Sequence, residues 1–402
     1  MNALREKKLK GVALQIKVPA NKPFFTEKTR GIISSEISKI LAGGHLTQGP
    51  WVKKFEETFA QYIGTDYAIA TNSGTSALEI LLRYFNVEDR EVIVPTNTFL
   101  STANAVIFAG GKPALADISS ETLCLDPDEI HRRLTAKTKG VIVVHIAGLI
   151  DPQIQTIREL CKDNNLFLIE DAAHAPGAHI NSEKAGTLTH GAAFSFYPTK
   201  PMTTGEGGMI TTNDPDCDQF ARSIRSHGAS IGEESIGNKN QLVRLGYNWR
   251  MSELQAVVGY YQLQNLEEAI SSRNHIADLY LRKLQGIPGI TLFEVPDNIR
   301  HSYYKFPVLF DIKFSREEIV SQFRNEFGIQ VGSIYWPPCH LQPFYKEHFG
   351  YRVGEYPVAE DILYRTIALP IFPDMTEQDV LIVSDAVTKI VEKNTKNIFV
   401  KS

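Results

Sequence analysis

The sequence is poor in cysteine and has no large excess of charge of either sign. Its four cysteines, Cys124, Cys161, Cys217 and Cys339, are widely spaced and form no CxxC pair among 402 residues. A disulfide framework or a cysteine metal site is therefore not expected, and we interpret them as reduced structural thiols of a cytoplasmic protein. The formal net charge of −4 gives no support for binding to nucleic acid or to an anionic membrane, because both require a basic face.

Long apolar runs and common ligand motifs are also missing. The longest uncharged apolar run, residues 140–150, is too short to span a bilayer. The N-terminal stretch MNALREKKLKGVALQI has only a short apolar part and no small-residue cleavage pattern, so we do not interpret it as a signal peptide. No His/Cys/carboxylate cluster has metal-ligand spacing, and no GxGxxG follows the first predicted strand. Metal and dinucleotide sites are therefore disfavoured.

Short β-rich runs alternate with helical patterns from about residue 67 to residue 227. This alternation predicts an α/β fold with a mostly parallel central sheet flanked by helices. The pattern then turns helical over 251–284, and a strand at 301–310 and a last helix at 376–393 follow. We therefore expect an N-terminal arm (1–25), a large α/β domain (26–265) and a smaller C-terminal α+β domain (266–402). The predicted strands of the large domain lie in YAIAT (67–71), EVIVP (91–95), PALADI (113–118), GVIVVHIAG (140–148), LFLIEDAAH (166–174) and AAFSFY (192–197).

The loops that follow the predicted strands are the candidate site, because parallel sheets bind ligands beyond the carboxyl ends of their strands. In the first loop, TNSGTSAL (71–78), Gly74 and Thr75 stand at the start of a helix. Unpaired amides and the helix dipole favour an anion there, and small residues let a phosphate approach. An ordinary helix cap uses the same residue types, so this stretch alone leaves both interpretations open.

Two further loops carry an aromatic ring and a pair of carboxylates. Phe99 follows the second strand, where it could stack on a flat ring, although such a residue more often belongs to the core. Glu170 and Asp171 follow an apolar strand, where a carboxylate is costly unless it is paired or hydrogen-bonded. A protonated ring nitrogen of a ligand would be such a partner, and a helix-capping aspartate is the alternative. We expect only one of the two carboxylates to face the site, and we choose Asp171.

The fourth loop is FSFYPTKPMTTGEGGMI (194–210), in which Ser195 precedes Lys200 by five residues. A lysine amine becomes a nucleophile when desolvation or a nearby cation lowers its pKa, and it can then form a Schiff base with an aldehyde. A solvated surface charge is the ordinary alternative for a single lysine. Together the four loops supply a phosphate cradle, an aromatic plate, a carboxylate and a lysine. Pyridoxal 5'-phosphate (PLP) requires this set, because its phosphate, ring face, ring nitrogen and aldehyde each need a partner.

With these residues in place, the chain resembles the DegT/DnrJ/StrS family of PLP-dependent sugar aminotransferases, which have the aspartate aminotransferase-like fold (fold type I). The resemblance runs in order along most of the chain. The motifs that carry it are GGHLTQGPWVKKFE (43–56), NSGTSAL, EVIVPTNTF, EDAAHAPGA, SFYPTK, TTGEGGMI, RSHG (225–228), GYNWRMSELQAVVG (246–259), HSYYKF and ALPIFPDMTEQDV (368–380).

The resemblance implies a role for each matching residue. Lys200 becomes the Schiff-base lysine, and Asp171 becomes the partner of the pyridine nitrogen. Asn248 matches an asparagine that reaches the phosphate from the neighbouring subunit, which implies an obligatory homodimer. Arg250 is a candidate contact to a nucleotide-sugar diphosphate and could equally form a structural ion pair. The remaining implied cofactor contacts are His174 near the ring hydroxyl, Phe99 on the ring face, and Gly74, Thr75 and Ser195 at the phosphate.

The resemblance also implies a reaction: transfer of an amino group, with L-glutamate as the donor, to a 3- or 4-keto position of a nucleotide-linked keto-deoxy sugar. The loop 228–241 and the segment 333–345 are candidate substrate walls, and His340 in the latter could contact the sugar or be a packed histidine. Pro201 and the segment VHIAGLID (144–151), which lacks an HLYG-like tyrosine, depart from the family pattern. The alternatives are an aminotransferase for a keto-cyclitol or another small molecule, and a non-catalytic regulatory relative.

Overall fold

A computed structural model describes residues 16–231 and 241–401. The first part of the predicted N-terminal arm and most of the loop 228–241 lie outside these residues. The helices are α1 Glu27–Gly43, α2 Pro50–Ile63, α3 Gly74–Tyr84, α4 Leu100–Phe108, α5 Pro127–Arg133, α6 Ile154–Asp163, α7 Pro215–Ile224, α8 Glu253–Gln264, α9 Leu266–Leu284, α10 Arg316–Gln322, α11 Pro343–Phe349, α12 Pro357–Arg365 and α13 Glu377–Lys401. The strands are β1 Tyr67–Thr71, β2 Glu91–Pro95, β3 Lys112–Ala116, β4 Thr138–Val144, β5 Phe167–Asp171, β6 His179–Ile180, β7 Glu183–Lys184, β8 Gly191–Ser195, β9 Gly208–Thr212, β10 Ile290–Leu292, β11 Ile299–Arg300, β12 Phe306–Phe310, β13 Gly332–Ser333 and β14 Thr366–Leu369.

The large sheet has seven strands in the order β1-β9-β8-β5-β4-β2-β3. Strand β9 runs antiparallel to β1 and β8, and the other six strands share one direction. The predicted mostly parallel sheet is therefore confirmed, with each predicted strand found within a few residues of its expected bounds. Strand β9 was not expected, because it begins in a glycine-dense stretch and glycine disfavours strands.

Local signals fix where the helices begin beside this sheet. Ser73 caps α3, and its side chain accepts a hydrogen bond from the amide of Ser76 at 3.1 Å. Ser252 and Gln255 form a capping box at the start of α8. The amide of Asn72 donates to the carbonyl of Trp249 at 2.8 Å. The end of β1 is thereby tied to the GYNWRM segment, which carries Asn248.

The segment predicted as a strand over 301–310 divides into two parts. Only Phe306–Phe310 forms β12. The preceding residues bond instead to the loop after β4: the amide of Ser302 donates to Gly148 and the amide of Lys305 donates to Ala147, both at 3.1 Å. These bonds hold Tyr304 beside the carboxyl ends of the large sheet.

A second, smaller sheet has the order β10-β12-β14-β13. Side chains of α9, α10, α13 and this sheet form a separate apolar cluster that includes Tyr280, Phe310, Ile319 and Val387. Residues 334–363 pack back onto the core of the large sheet. We propose that Asn265, between α8 and α9, marks the boundary between the two domains. None of the helices in the described ranges is both long and apolar enough to cross a membrane.

Candidate active site

A cavity of about 390 Å³ lies at the carboxyl ends of β1, β2, β5 and β8. Seven of the sequence-predicted residues line it, together with side chains that were not predicted. The predicted ones are Gly74, Thr75, Phe99, Asp171, His174, Ser195 and Lys200. The others include Ser73, Thr98, Ser101, Tyr197, Thr199, Glu206, Tyr304 and Tyr335. The strand-end loops therefore converge as the rule for parallel sheets predicts.

Lys200 lies in this cavity and is half-buried. Its Nζ is 4.7 Å from the centroid of the Tyr304 ring. Burial lowers the pKa of the amine to about 7, with Asp171 opposing the shift and Lys305 adding to it. The amine is therefore neutral in a large fraction of molecules near neutral pH, as a nucleophilic lysine requires. A solvated surface lysine would not have these surroundings.

The pH dependence of PLP capture should reveal this amine. Because only the neutral form attacks an aldehyde, the rate of capture by cofactor-free protein should rise about tenfold per pH unit below pH 7 and level off above it. The same titration with Nα-acetyl-lysine corrects for the ionisation of PLP itself. Lys305→Met removes a neighbouring cation and should move the midpoint to higher pH. A midpoint near 10.5, the ordinary value for lysine, would contradict the assignment.

Asp171 and Glu170 point to opposite faces of the sheet, because side chains alternate along a strand. Asp171 lines the cavity. Its Oδ2 accepts from Thr102 Oγ1 at 2.6 Å, and its Oδ1 accepts from the amide of Ala173 at 3.1 Å. Glu170 is fully buried on the other face and accepts hydrogen bonds from the amides of Gly186 and Leu188, at 2.7 and 2.9 Å. No helix follows Asp171 directly in the described chain, so the capping alternative is wrong.

Glu170 has a further partner in His145, whose Nε2 is 2.9 Å from Glu170 Oε2. Both side chains are fully buried. His145 Nδ1 accepts from the amide of Asp151 at 3.3 Å, so the ring hydrogen is on Nε2 and is donated to Glu170. The His145–Glu170 pair stabilises the end of β5 on the face of the sheet opposite Asp171, and neither side chain lines the cavity.

His174 is buried at the cavity wall. Its Nδ1 accepts from the amide of Ala147 at 3.2 Å, so its Nε2 hydrogen points to the hydroxyl of Tyr335, 2.7 Å away. Burial, followed by the positive charges of Lys200 and Lys305, holds the pKa of the imidazole well below its usual range. His174 is therefore a neutral donor, and the Tyr335 hydroxyl keeps its own hydrogen for another acceptor.

The start of α3 forms the end of the cavity that suits a phosphate. A Cβ added to Gly74 would lie 2.9 Å from Ser195 Cβ, and one added to Gly208 would lie 2.3 Å from the Ser73 carbonyl oxygen. Glycine at both positions lets the helix start approach β8 and β9 closely. The first amides of a helix have no intrahelical acceptor, and the side chains of Thr75 and Ser195 add hydroxyl groups beside them.

Phe99 provides a flat surface at the mouth of the cavity. Its side chain is 56% exposed, and its ring centroid lies 5.8 Å from that of Tyr335. The alternative that Phe99 belongs to the core is therefore wrong. An exposed ring at a strand end is available to stack on a planar ligand.

Three candidates lie outside the cavity. Asn248 is exposed and pairs through a backbone bridge with Ser226. Arg250 is half-buried, and its Nη1 donates to Ser226 Oγ at 3.4 Å. His340 is fully buried. Its Nδ1 lies 2.8 Å from the Thr96 hydroxyl and its Nε2 lies 3.0 Å from Glu360, which are the contacts of a packed histidine.

Sequence reasoning did not single out Tyr304, Tyr335 or Thr102, although Tyr335 lies in the segment 333–345 that was expected to be a substrate wall. The two tyrosines come from segments more than 100 residues after Lys200 in the chain. The only sequence signal was the density of aromatic residues in HSYYKF and SIYWPP. Thr102 lies inside a helix that gave no sign of contact with Asp171.

The described side chains fit PLP at each of its parts. The start of α3 suits the phosphate, and Phe99 suits the ring face. Asp171 suits the ring nitrogen, and the Lys200 amine, whose pKa is about 7, suits the aldehyde. In the described ranges, no cluster of three or more His, Cys, Asp or Glu side chains could hold a metal ion. The side chains that line the cavity therefore suit an organic phosphate with a basic ring.

Comparisons with known proteins agree with this fit. The model of the DegT/DnrJ/EryC1/StrS aminotransferase family matches residues 28–388. The spore coat polysaccharide biosynthesis protein SpsC of Bacillus subtilis is 35% identical over 366 residues, which cover 89% of this chain and 94% of SpsC. GDP-perosamine synthase of Escherichia coli O157:H7 is 29% identical over 374 residues, which cover 92% of this chain and 98% of that enzyme.

A solved structure gives the same result for the fold. The crystal structure of S. venezuelae DesV superposes with a TM-score of 0.85 at 31% identity, covering 92% of this chain and 99% of DesV. The matching fold, the family model and the PLP-compatible cavity lead to one assignment. The chain belongs to the DegT/DnrJ/EryC1/StrS aminotransferase family and is a PLP-dependent aminotransferase.

Proposed function

We propose that the protein transfers an amino group from L-glutamate to a 3- or 4-keto group of a nucleotide-linked keto-deoxy sugar. The observation that carries this proposal is the placement of Lys200 and Asp171 in one cavity, each with surroundings that suit its role. The family supports a sugar acceptor, and the similarity to GDP-perosamine synthase supports a nucleotide-linked one.

Lys200 Nζ is the group that holds the cofactor and later carries a proton. When bound, PLP supplies an aldehyde for amines and a ring that accepts electrons from the carbon next to nitrogen. After an amino donor has taken its place, the freed Lys200 amine removes a proton from the amine-bearing carbon as a general base. The low pKa of the amine suits this work, because it leaves Nζ unprotonated near neutral pH.

The other lining residues bind and orient. Asp171 pairs with the ring nitrogen and keeps it protonated, and Phe99 covers one ring face. His174 lies near the ring hydroxyl and donates its hydrogen to Tyr335, whose own hydroxyl hydrogen is free for the cofactor, while Gly74, Thr75 and Ser195 hold the phosphate. Arg250 is a candidate cation for the diphosphate of the substrate, and it lies outside the cavity of its own chain. The mouth beside Phe99, which is 56% exposed, is the proposed entrance for the sugar.

We also propose a homodimer with shared active sites. Asn248 is exposed beside a run of exposed apolar side chains, in which Leu242, Leu245 and Tyr247 are 63%, 86% and 40% exposed. Adjacent exposed apolar residues indicate an interface. We propose that a second copy covers this run, and that Asn248 then reaches the phosphate end of its partner's cavity, as the family resemblance implies.

Mixed dimers test this sharing directly. Asn248→Ala removes one hydrogen bond to a charged group and should lower kcat by about tenfold to a hundredfold. Lys200→Ala alone should be inactive. A mixed dimer of the two variants has one cavity with both changes and one with neither, so it should regain activity in one cavity. Absence of any recovery in purified mixed dimers would contradict sharing.

The substrate is tested with a panel of acceptors. Purified protein with PLP and L-glutamate is incubated with nucleotide-linked 3-keto and 4-keto deoxy sugars and with a keto-cyclitol, and the products are identified by mass spectrometry and NMR. The proposal predicts amination of a nucleotide-linked sugar and formation of 2-oxoglutarate. Exclusive amination of the cyclitol would favour the alternative aminotransferase function. Absence of any product with every acceptor, from protein that binds PLP, would favour the regulatory alternative.

A further inference from the structure

Asp171 stands at the end of a line of buried hydroxyl groups. Thr102 Oγ1 lies 2.6 Å from Asp171 Oδ2, and Thr98 Oγ1 lies 2.6 Å from Thr102 Oγ1. Thr102 is fully buried and Thr98 is 2% exposed. The two threonines are four residues apart at the start of α4, and the amide of Thr102 donates to Phe99 at 3.1 Å. The helix start therefore fixes both hydroxyls relative to the end of β5.

The direction of these hydrogen bonds follows from the number of hydrogens available. An ionised carboxylate has none, so Thr102 must donate to Asp171. The single hydroxyl hydrogen of Thr102 is then used, and Thr102 Oγ1 must accept from the Thr98 hydroxyl. The amide of Ala173 donates to the other carboxylate oxygen, Oδ1, at 3.1 Å. Each oxygen of Asp171 thus has a fixed donor, and the two donors set the orientation of the carboxylate.

Thr102 itself does not reach the ligand. Thr98 and Asp171 line the cavity, whereas Thr102 lies behind them. Any effect of Thr102 on the cofactor must therefore pass through a neighbour that lines the cavity, and Asp171 is the neighbour to which its hydroxyl donates. Its β-branched side chain is also restricted in rotation, which suits a residue that must hold one hydroxyl in one direction.

We propose that Thr102 is a positioning residue for the cofactor: its hydroxyl, aligned by Thr98, holds the Asp171 carboxylate oriented toward the ring nitrogen of PLP. This inference rests on the role proposed above for Asp171. Without the Thr102 hydroxyl, Asp171 Oδ2 loses a donor in a buried place where water cannot readily replace it. The ring nitrogen would then be protonated in fewer molecules, and the ring would accept electrons less well.

The test uses PLP labelled with 15N at the ring nitrogen, bound to full-length protein. The 15N chemical shift reports whether that nitrogen carries a proton. Thr102→Val keeps the side-chain shape and removes the hydroxyl. It should move the shift toward the unprotonated value and lower kcat about tenfold, with little change in KM for the acceptor. Thr102→Ser restores the hydroxyl and should return both quantities toward those of the unchanged protein.

Two further variants separate this role from loss of folding. Thr366→Val removes a fully buried hydroxyl in the small sheet, which donates to the carbonyl of Ile362 at 2.7 Å. This variant should leave the 15N shift unchanged. Thr98→Val removes the aligning hydroxyl and should move the 15N shift in the same direction as Thr102→Val, but by a smaller amount. It provides the test if Thr102→Val does not fold.

Asp171→Asn separates a failure of the Thr102 role from a failure of the Asp171 role. If Asp171→Asn moves the 15N shift and neither threonine variant does, the positioning role of Thr102 is overturned and the proposed function stands. If Asp171→Asn also leaves the shift unchanged, the pairing of Asp171 with the ring nitrogen is wrong, and the inference about Thr102 is overturned with it.

Discussion

Lys200→Ala should reduce transamination by about 1,000-fold or more and remove the visible absorption of lysine-bound PLP. The reason is that Lys200 Nζ is both the amine that captures the aldehyde and the base that carries the proton, so its loss removes two functions at once. The cavity that surrounds it should remain, because all the other proposed PLP-binding side chains except Ser195 are on separate strand-end loops. Rate measurements with L-glutamate and a keto-sugar acceptor, together with absorption spectra, check this result.

Loss of folding does not explain such a result. Burial lowers the pKa of Lys200 to about 7 from the ordinary value of 10.5. Between these values the unfolded chain binds more protons than the folded chain, so the amine opposes folding, fully below pH 7 and progressively less up to pH 10.5. Lys200→Ala should therefore not lower the free energy of unfolding of cofactor-free protein. A fully active Lys200→Ala variant would remove the basis of the proposed mechanism.

Asp171→Asn should lower kcat by roughly 100-fold to 10,000-fold, the second largest effect. The asparagine keeps the shape of the side chain, but it removes the charge that pairs with the ring nitrogen. Breaking a buried ion pair by removing one partner costs about 3–5 kcal/mol, and this cost falls on the step in which the ring accepts electrons. Steady-state kinetics and the affinity for PLP, measured by titration of the absorption spectrum, check the prediction.

Glu170 provides the matched control on the same strand. Glu170→Gln also removes one negative charge, but it lies on the opposite face, among amide donors and His145. The NH2 group of the introduced glutamine side chain would face those donors. The substitution should therefore lower the free energy of unfolding by about 1–3 kcal/mol and change kcat little. Equal losses of kcat in the Asp171 and Glu170 variants would contradict the separate roles of the two carboxylates.

Much of the cavity floor could be predicted from the sequence, because the relevant residues stand directly after strands. Phe99, Asp171 and Lys200 each follow or end a short apolar run, and the carboxyl ends of parallel strands meet at one edge. Strand alternation also separates Asp171 from Glu170. These are local signals, and the fold places them together without further information.

The walls of the cavity could not be predicted in the same way. Tyr304 reaches it because Ser302 and Lys305 bond to the loop after β4 instead of extending β12. Tyr335 reaches it from the segment 333–345, which was expected to be a wall without any indication of which side chain would line the cavity, and its hydroxyl contacts His174. His340, five residues later, instead bonds to Thr96 and Glu360. Such choices depend on packing between distant segments, which no local pattern records.

The central claim is that Lys200 is the amine that holds PLP, and reduction of the bound cofactor tests it most directly. Borohydride fixes PLP to whichever lysine carries it, and peptide mass spectrometry then locates the added mass. Lys305 is the natural competitor: it is also close to Tyr304, with its Nζ 5.6 Å from the ring centroid compared with 4.7 Å for Lys200. We predict the adduct on Lys200 alone. An adduct on Lys305 or another lysine, or PLP bound without any reducible link, would contradict the account.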